Sequence, residues 1–395
     1  MKLRHCWFAF IPSHLGRHKA VDAAAEALSQ AHRYYRTMRF DKSALEAALT
    51  SYARAVSLVQ KCIESPTERY EDHTLLAIAI LSHYETLIGN PRSTYLRHWS
   101  GVTALLLARS SSYPPSDLVR AMFYSMWDQL FRVPCAKGVA SPYDNDLFLS
   151  IEPAAIDVIP DHVARLRRTG QQLLIRLPRL IADARRILNE PEIGDGTVIA
   201  TMGTLADTYS KSNNSASEDK MLHDLRVART ERPVDRAITP FSFVFESSEV
   251  FSAAVFYWQT RLNLVNLCVY LMRSLPDLLW PTSDSANLSL TGLEIEQARL
   301  AADIVMSISH GRTKGDFGMV FLTQALLAVW SALSYKDGIW RGTVSVDRLR
   351  SWTLSCIYDS LGAQGRGKQA VRLVEAASQA LMGGPLADWS GLMGL

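Results

Sequence analysis

The chain lacks paired cysteines. It has five in 395 residues, Cys6, Cys62, Cys135, Cys268 and Cys356, and no two stand within a C-x-x-C spacing. That excludes a disulfide framework and any zinc motif in which two thiolates reach one ion from a single turn. Scattered thiols of this kind are expected to be buried and free. A charge excess is missing too: 42 Lys plus Arg stand against 39 Asp plus Glu, for a net charge of +3. No run of five or six like charges occurs, so there is no basic arm or stripe of the kind nucleic acid attracts. No apolar run approaches the ~20 residues that span a bilayer. The longest, Leu75 to Leu81, is followed at once by Ser82 and His83. The opening MKLRHCWFAFIPSHLG has an apolar stretch, Cys6 to Ile11, too short for a signal peptide, and no small-residue cleavage site follows it. The triplets Asn213-Asn214-Ser215 and Asn287-Leu288-Ser289 therefore carry no expectation of glycosylation. The expected location is the nucleus or the cytoplasm, with no membrane contact.

What is present is helical periodicity. At 48% hydrophobic residues the chain can bury a large core. His18 to Met38 carries Val21, Ala24, Ala25, Leu28 and Ala31 at i, i+3, i+4, i+7 spacing. Lys42 to Cys62 repeats the pattern behind Asp41, an expected N-cap. Asp72 to Ile88 is apolar on almost every side, as a helix at the centre of a bundle must be. Gly89-Asn90-Pro91 ends it, because Gly suits a left-handed cap and Pro cannot continue the helix. Further helices are expected over 117–131, over 161–177 with a kink or break at Pro178, and over 251–275. Thr291 is the expected cap of 291–309, and helices over 317–333, 346–361 and 367–382 follow. No alternating strand pattern and no fixed repeat occurs. The expectation is an all-α protein, a large multi-helix bundle of about a dozen helices in one domain over 1–395. A flexible insertion is expected at 189–240, where Ser210 to Lys220 reads as a polar surface loop.

The short motifs each have a plain structural reading. Gly362 to Lys368 fits the spacing of a phosphate loop, but Gln369 stands where Ser or Thr must hold magnesium. The segment before it looks helical, so a linker between helices is expected. Gly311, Gly315 and Gly318 lack the spacing and the preceding strand of a dinucleotide site and suggest a flexible loop. His73, His83 and His98 form no H-E-x-x-H pattern and are expected in caps or core hydrogen bonds. Tyr124, Asp128 and Arg132 at four-residue spacing suggest one polar face of a helix. Tyr143-Asp144-Asn145-Asp146 is too short for a calcium loop. No nucleophile elbow occurs. No catalytic residue, no metal ligand and no cofactor is assigned on this basis, and no ligand-binding residue can be named.

Four segments in order resemble one family. They are Ile11 to Leu28, Ala44 to Ile63, Tyr70 to Arg109 and Ala298 to Leu333. Within the third, Leu75 to Tyr84, then Gly89, then His98 and Gly101, match a pattern LL…YE…G……H..G…LL. The chain resembles the fungal-specific transcription factor domain, the helical regulatory region of fungal zinc-cluster transcription factors. That resemblance implies an all-α bundle, a nuclear role in transcription regulation and control of fungal secondary metabolism. It also implies a regulatory protein partner or a small-molecule ligand held in a helical cavity. The six-cysteine cluster through which those factors bind DNA is not among these residues, so no direct nucleic-acid contact is expected. A missing upstream exon is a further reading, and mapping the 5′ end of the transcript tests it. The alternative function is an enzyme on the same scaffold, a cyclase or isomerase whose aromatic-lined cavity steers a rearrangement through shape.

Overall fold

A computed structural model describes residues 7–37, 41–89, 92–109, 115–154, 159–190, 194–276, 288–334, 344–361 and 367–386. The fold is all-α, with 78% of the described residues helical. The helices of the first third are α1 (Ile11–His14), α2 (Lys19–Arg36), α3 (Lys42–Glu64), α4 (Asp72–Ile88), α5 (Arg92–Arg109) and α6 (Asp117–Phe123). Then come α7 (Val133–Lys137), α8 (Asp146–Leu149), α9 (Asp161–Asn189), α10 (Asp195–Lys211), α11 (Ser215–Asp224) and α12 (Pro233–Arg236). The last are α13 (Ser248–Ser274), α14 (Leu290–Thr313), α15 (Gly315–Ala332), α16 (Val346–Leu361) and α17 (Gly367–Leu381). Twelve of them have ten residues or more, close to the expected number, although α10 and α11 lie where an insertion is expected and the helix expected over 117–131 ends at Phe123. The other five have four to seven residues. Where one domain is expected, the chain gathers into two compact units, Met1–Leu130 with Asn145–Val158, and Phe131–Asp144 with Ile159–Gly394.

In the first unit α4 is the central helix. It packs against α2, α3 and α5. Leu75, Leu76, Ala77, Ala79, Ile80 and Tyr84 are fully buried, so its middle turns are covered all round, and only its two ends reach solvent, with Thr86 exposed. Each buried Leu or Ile contributes about 1.5–3 kcal/mol. Closeness comes from α2, whose buried face is Ala20, Ala23, Ala24, Ala27 and Ala31. Side chains that small let the neighbouring backbones approach. Asp41 caps α3 as predicted, its Oδ1 accepting from the amides of Ser43 and Ala44 at 3.0 and 3.1 Å. Gly89 ends α4 at φ +84°, the left-handed geometry that favours glycine. Asn90 and Pro91 lie outside the described residues.

In the second unit the buried spine is α13, which packs against α9, α14 and α15. From Val250 to Leu271 nearly every side chain is buried. Helix α9 runs unbroken through Pro178, where an interruption is expected from sequence. An interior proline costs about 3 kcal/mol. Leu173, Leu174, Ile175 and Leu177 before it, with Leu180 and Ile181 after it, are buried and anchor the helix on both sides of the proline.

The 189–240 segment also departs from expectation. Ser210 to Lys220 is the end of α10 and the start of α11, with Ser217, Glu218 and Met221 buried. Helix α11 packs on α9, and that contact orders a sequence whose composition reads as loop. Arg226–Arg229 and Phe241–Val244 form a two-stranded antiparallel ribbon, β1 and β2, with Val227 opposite Phe243. Pro233 and Pro240 keep the residues between them from extending a helix. Phe243 anchors the ribbon against Trp258, ring centroids 5.9 Å apart. The cap of α14 is Ser289, whose Oγ accepts from the Gly292 amide at 3.1 Å, in place of Thr291.

The glycines of 311–318 make a tight corner, not a flexible loop. Gly311 lies inside α14, and α15 begins at Gly315 with φ +66°. Gly318 sits against the Gly311 carbonyl so closely that a Cβ there would fall 2.9 Å from the carbonyl carbon.

Candidate functional site

Four polar or aromatic side chains, Tyr52, Tyr84, Glu85 and His98, meet in the first unit. Glu85, 1% exposed, projects from the penultimate turn of α4. Tyr52 of α3 donates its hydroxyl to Glu85 Oε1. His98 of α5 places Nε2 3.4 Å from the same oxygen and 3.3 Å from the Tyr52 hydroxyl. Tyr84 stacks on Tyr52, centroids 4.4 Å apart. Burial and then the bond to Glu85 push the Tyr52 phenol well up, and burial followed by the Glu85 charge raises Tyr84 to about 12. Both phenols therefore keep their protons at neutral pH. The cluster ties three helices together, and it also has the parts of a proton relay: a buried carboxylate, a phenol and an imidazole. Removing one partner of a buried hydrogen bond costs about 1–3 kcal/mol. Glu85→Ala is expected to lower unfolding free energy by about 2 kcal/mol, with Glu85→Gln losing less because its amide oxygen still accepts from Tyr52. Urea titration of both variants checks the order.

A second cluster stands in the same unit. His18 is the residue before α2, Cys62 lies in the last turn of α3, and His73 is the second residue of α4. Helices α2, α3 and α4 run alternately up and down, so these three ends share one end of the bundle. One ligating atom from each lies within 4.8 Å of the others. The two imidazoles are stacked, centroids 3.2 Å apart and planes 21° from parallel. His18 Nδ1 and His73 Nε2 are buried and have no hydrogen-bond partner. Each such orphan costs about 1–3 kcal/mol. Burial first and the neighbouring His18 second hold His73 below its usual range, while burial and Glu68 push the Cys62 thiol up. Thr74 also reaches the thiol, and its Oγ1 donates to the Glu68 carbonyl at 2.8 Å.

In the second unit the polar residues form ties between helices. Arg261 of α13, 1% exposed, bonds Glu296 of α14 at 2.7 Å and Ser212 Oγ at 2.7 Å. It also lies over the Tyr209 ring at 4.0 Å. Glu218 of α11 accepts from Trp258 Nε1 and from Arg299, each at 2.7 Å, and Arg299 continues to Asp303 at 3.1 Å. Asp235 of α12, 2% exposed, accepts from Trp352 Nε1 of α16 at 3.0 Å and faces Arg312 of α14 at 3.3 Å. His310 Nδ1 accepts from the Phe245 amide at 3.4 Å, and burial holds that imidazole down at about 4, so it is neutral.

Asp303 has the most displaced carboxyl of this group. Burial first, with the Glu218 charge adding, pushes it up to about 7 against the pull of Arg299. In the unfolded chain it ionises near 3.8. Between those two pH values the unfolded chain has released the proton and the folded one has kept it. The group thus withdraws stability as pH rises through that window. Asp303→Asn lacks the titration. Its stability relative to the parent is expected to climb between about pH 4 and 7, by about 2 kcal/mol, then to level off. Urea midpoints of both proteins across that range measure it.

The positions singled out by spacing fall as follows. His83 is core, its ring edge-on to Trp7 and Phe8 at 5.2 and 4.6 Å. His98 joins Glu85, and His73 joins His18 and Cys62. The shared helix face expected for Tyr124, Asp128 and Arg132 does not form. Helix α6 ends at Phe123, and Tyr124 turns its hydroxyl to the Ile151 carbonyl at 3.1 Å. The side chain of Asp128 lies outside the described residues. Tyr143 is fully buried, Asp144 pairs with Arg179 at 2.7 Å, and Asn145 caps α8. Helix α16 precedes the Gly362–Lys368 motif, as expected for a linker between helices, and Gly362 to Arg366 lie outside the described residues. Cys62, Cys135, Cys268 and Cys356 are buried and free, and Cys6 lies outside the described residues. The second unit also carries an open groove of about 500 Å³, lined by Gly138, Asp183, Arg185, Arg186, Asn189 and Pro385.

His18 and Cys62 escape a reading by local spacing because neither has a partner residue within one turn. The signal that finds them is topological. Three antiparallel helices joined by short connections bring the start of the first, the end of the second and the start of the third together. No helix among the described residues is long and apolar enough to cross a membrane. The chain matches no protein-family model, no curated protein and no solved structure.

Proposed function

We propose that the chain is a regulatory protein of the transcription-factor type, acting through a partner protein or a small-molecule ligand and not by direct contact with DNA. The observation that supports it is the convergence of the half-buried Tyr52 and His98 side chains with the buried Tyr84 and Glu85 in one cluster. The last three belong to the stretch that most resembles the fungal regulatory domain, and Tyr52 belongs to a second resembling segment. A pattern kept by such residues is a pattern of helix positioning, and positioned helices can hold alternative arrangements that a ligand or partner biases. Nearly balanced charge agrees with a role that needs no phosphate contacts. The setting implied is the nucleus and the control of secondary metabolism. Proximity labelling by the full chain in its host is the test. DNA-binding regulators are expected among the labelled proteins, and their absence there would remove the basis of the proposal.

One observation favours a second reading, an enzyme of the cyclase or isomerase type. A buried carboxylate shared by a phenol and an imidazole can hold and return a proton. Incubating the purified chain with a panel of reactive biosynthetic intermediates from its host tests this. Product formation abolished by Glu85→Gln would support it, and no product across the panel would end it.

A further inference from the structure

We propose that His18, Cys62 and His73 form a zinc site that clamps the start of α2, the end of α3 and the start of α4. The donor set is the first argument. Two imidazoles and a thiolate suit a borderline-soft divalent ion, and zinc accepts that mixture in tetrahedral geometry. Distance is the second. Bonds of ~2.0–2.3 Å around a tetrahedral ion separate ligand atoms by roughly 3.3–3.6 Å. The three atoms lie within 4.8 Å of one another, so small side-chain rotations close the site.

The third argument is the orphaned nitrogens. His18 Nδ1 and His73 Nε2 are buried without partners, on rings stacked face to face. That stacking leaves both nitrogens without a partner from the chain. A cation at their edges, in the plane of each ring once the two turn out of the stack, satisfies both nitrogens at once. Cys62 is 5% exposed and sits near the carbonyl end of α3, where the helix dipole favours positive charge. On binding, the thiol releases its proton to solvent and the thiolate bonds the metal, with no change in oxidation state. Glu68, half-buried in the turn between α3 and α4, lies beside the thiol, and the fourth position is left to a water.

This inference does not depend on the proposed function, since it is read on the purified protein alone. The full chain, produced with zinc and dialysed against a weak chelator, is expected to retain about one zinc ion per molecule. Cys62→Ser and His73→Gln are each expected to weaken zinc binding by more than about tenfold, with helical circular dichroism kept. His83→Gln, a buried histidine outside the cluster, is expected to bind as the parent does. X-ray absorption at the zinc edge of the unaltered protein needs no variant to fold. It is expected to show one sulfur and two imidazole nitrogens in the first shell. Cobalt in place of zinc is expected to give a thiolate charge-transfer band that Cys62→Ser lacks. A parent protein that holds no zinc, a first shell without sulfur, or equal retention by both ligand variants overturns the proposal.

Discussion

Gly318→Ala is expected to destabilise the second unit by about 3 kcal/mol, at the upper end of overpacking effects. The reason is backbone against backbone. The added Cβ would fall on the Gly311 carbonyl at the α14–α15 corner, and that carbonyl accepts from the Lys314 amide at 3.0 Å, so it cannot turn away without losing the bond that closes the corner. Gly311 is bounded as well, by the side chain of Leu322 and, at 3.3 Å, by the ring of Phe251. Flexible side chains can yield, so Gly311→Ala is expected to cost less than Gly318→Ala. Gly101 supplies the contrast. It stands inside α5 with nothing within 4 Å of its would-be Cβ. Gly101→Ala is expected to be neutral or to stabilise by up to about 1 kcal/mol, because alanine has the better helix propensity. Thermal melts of the three variants rank them. A Gly318→Ala protein as stable as its parent would mean that the corner is looser than described.

The second large effect is expected from Arg261→Ala. The guanidinium is buried and bonded to Glu296, Ser212 and the Tyr209 carbonyl. Burial alone would raise the Glu296 carboxyl, yet the charge and hydrogen bonds of Arg261 hold it below its usual value. Removing one member of a buried pair leaves the other desolvated, which costs about 3–5 kcal/mol. Removing both is milder. Arg261→Met with Glu296→Leu is expected to recover most of the loss, because the volume remains and no orphan charge does. A double-mutant cycle in urea measures the coupling, and additive losses would show that the two side chains do not depend on each other.

Local chemistry made much of this fold legible. The cap at Asp41, the left-handed stop at Gly89 and the all-round burial of α4 depend on neighbours a few residues away, and sequence pattern reports them. Competition between equivalent local signals is less readable. Ser289 and Thr291 are both credible caps, and the choice of Ser289 depends on how α14 meets the rest of its unit. Composition misleads where a short polar helix gains its order from others. Ser210 to Lys220 looks like loop, but Glu218 is the acceptor that Trp258 and Arg299 share. Pro178 reads as a break for the same reason in reverse, because burial on both sides of it lies outside the local window. The candidate sites are almost wholly tertiary. Glu85 and His98 are 13 residues apart and on separate helices, and His18 is joined to His73 only by helix topology. Residue types alone could nominate these groups, and only the antiparallel arrangement of α2 to α5 brings them into reach.

The regulatory reading meets its most direct test in transcripts. Deleting the gene in its host and sequencing RNA is predicted to change a defined, co-regulated set of messages. The unaltered chain should restore them, and Glu85→Ala, which loosens the cluster joining α3, α4 and α5, should restore them less well. An unchanged transcriptome after deletion would contradict the account.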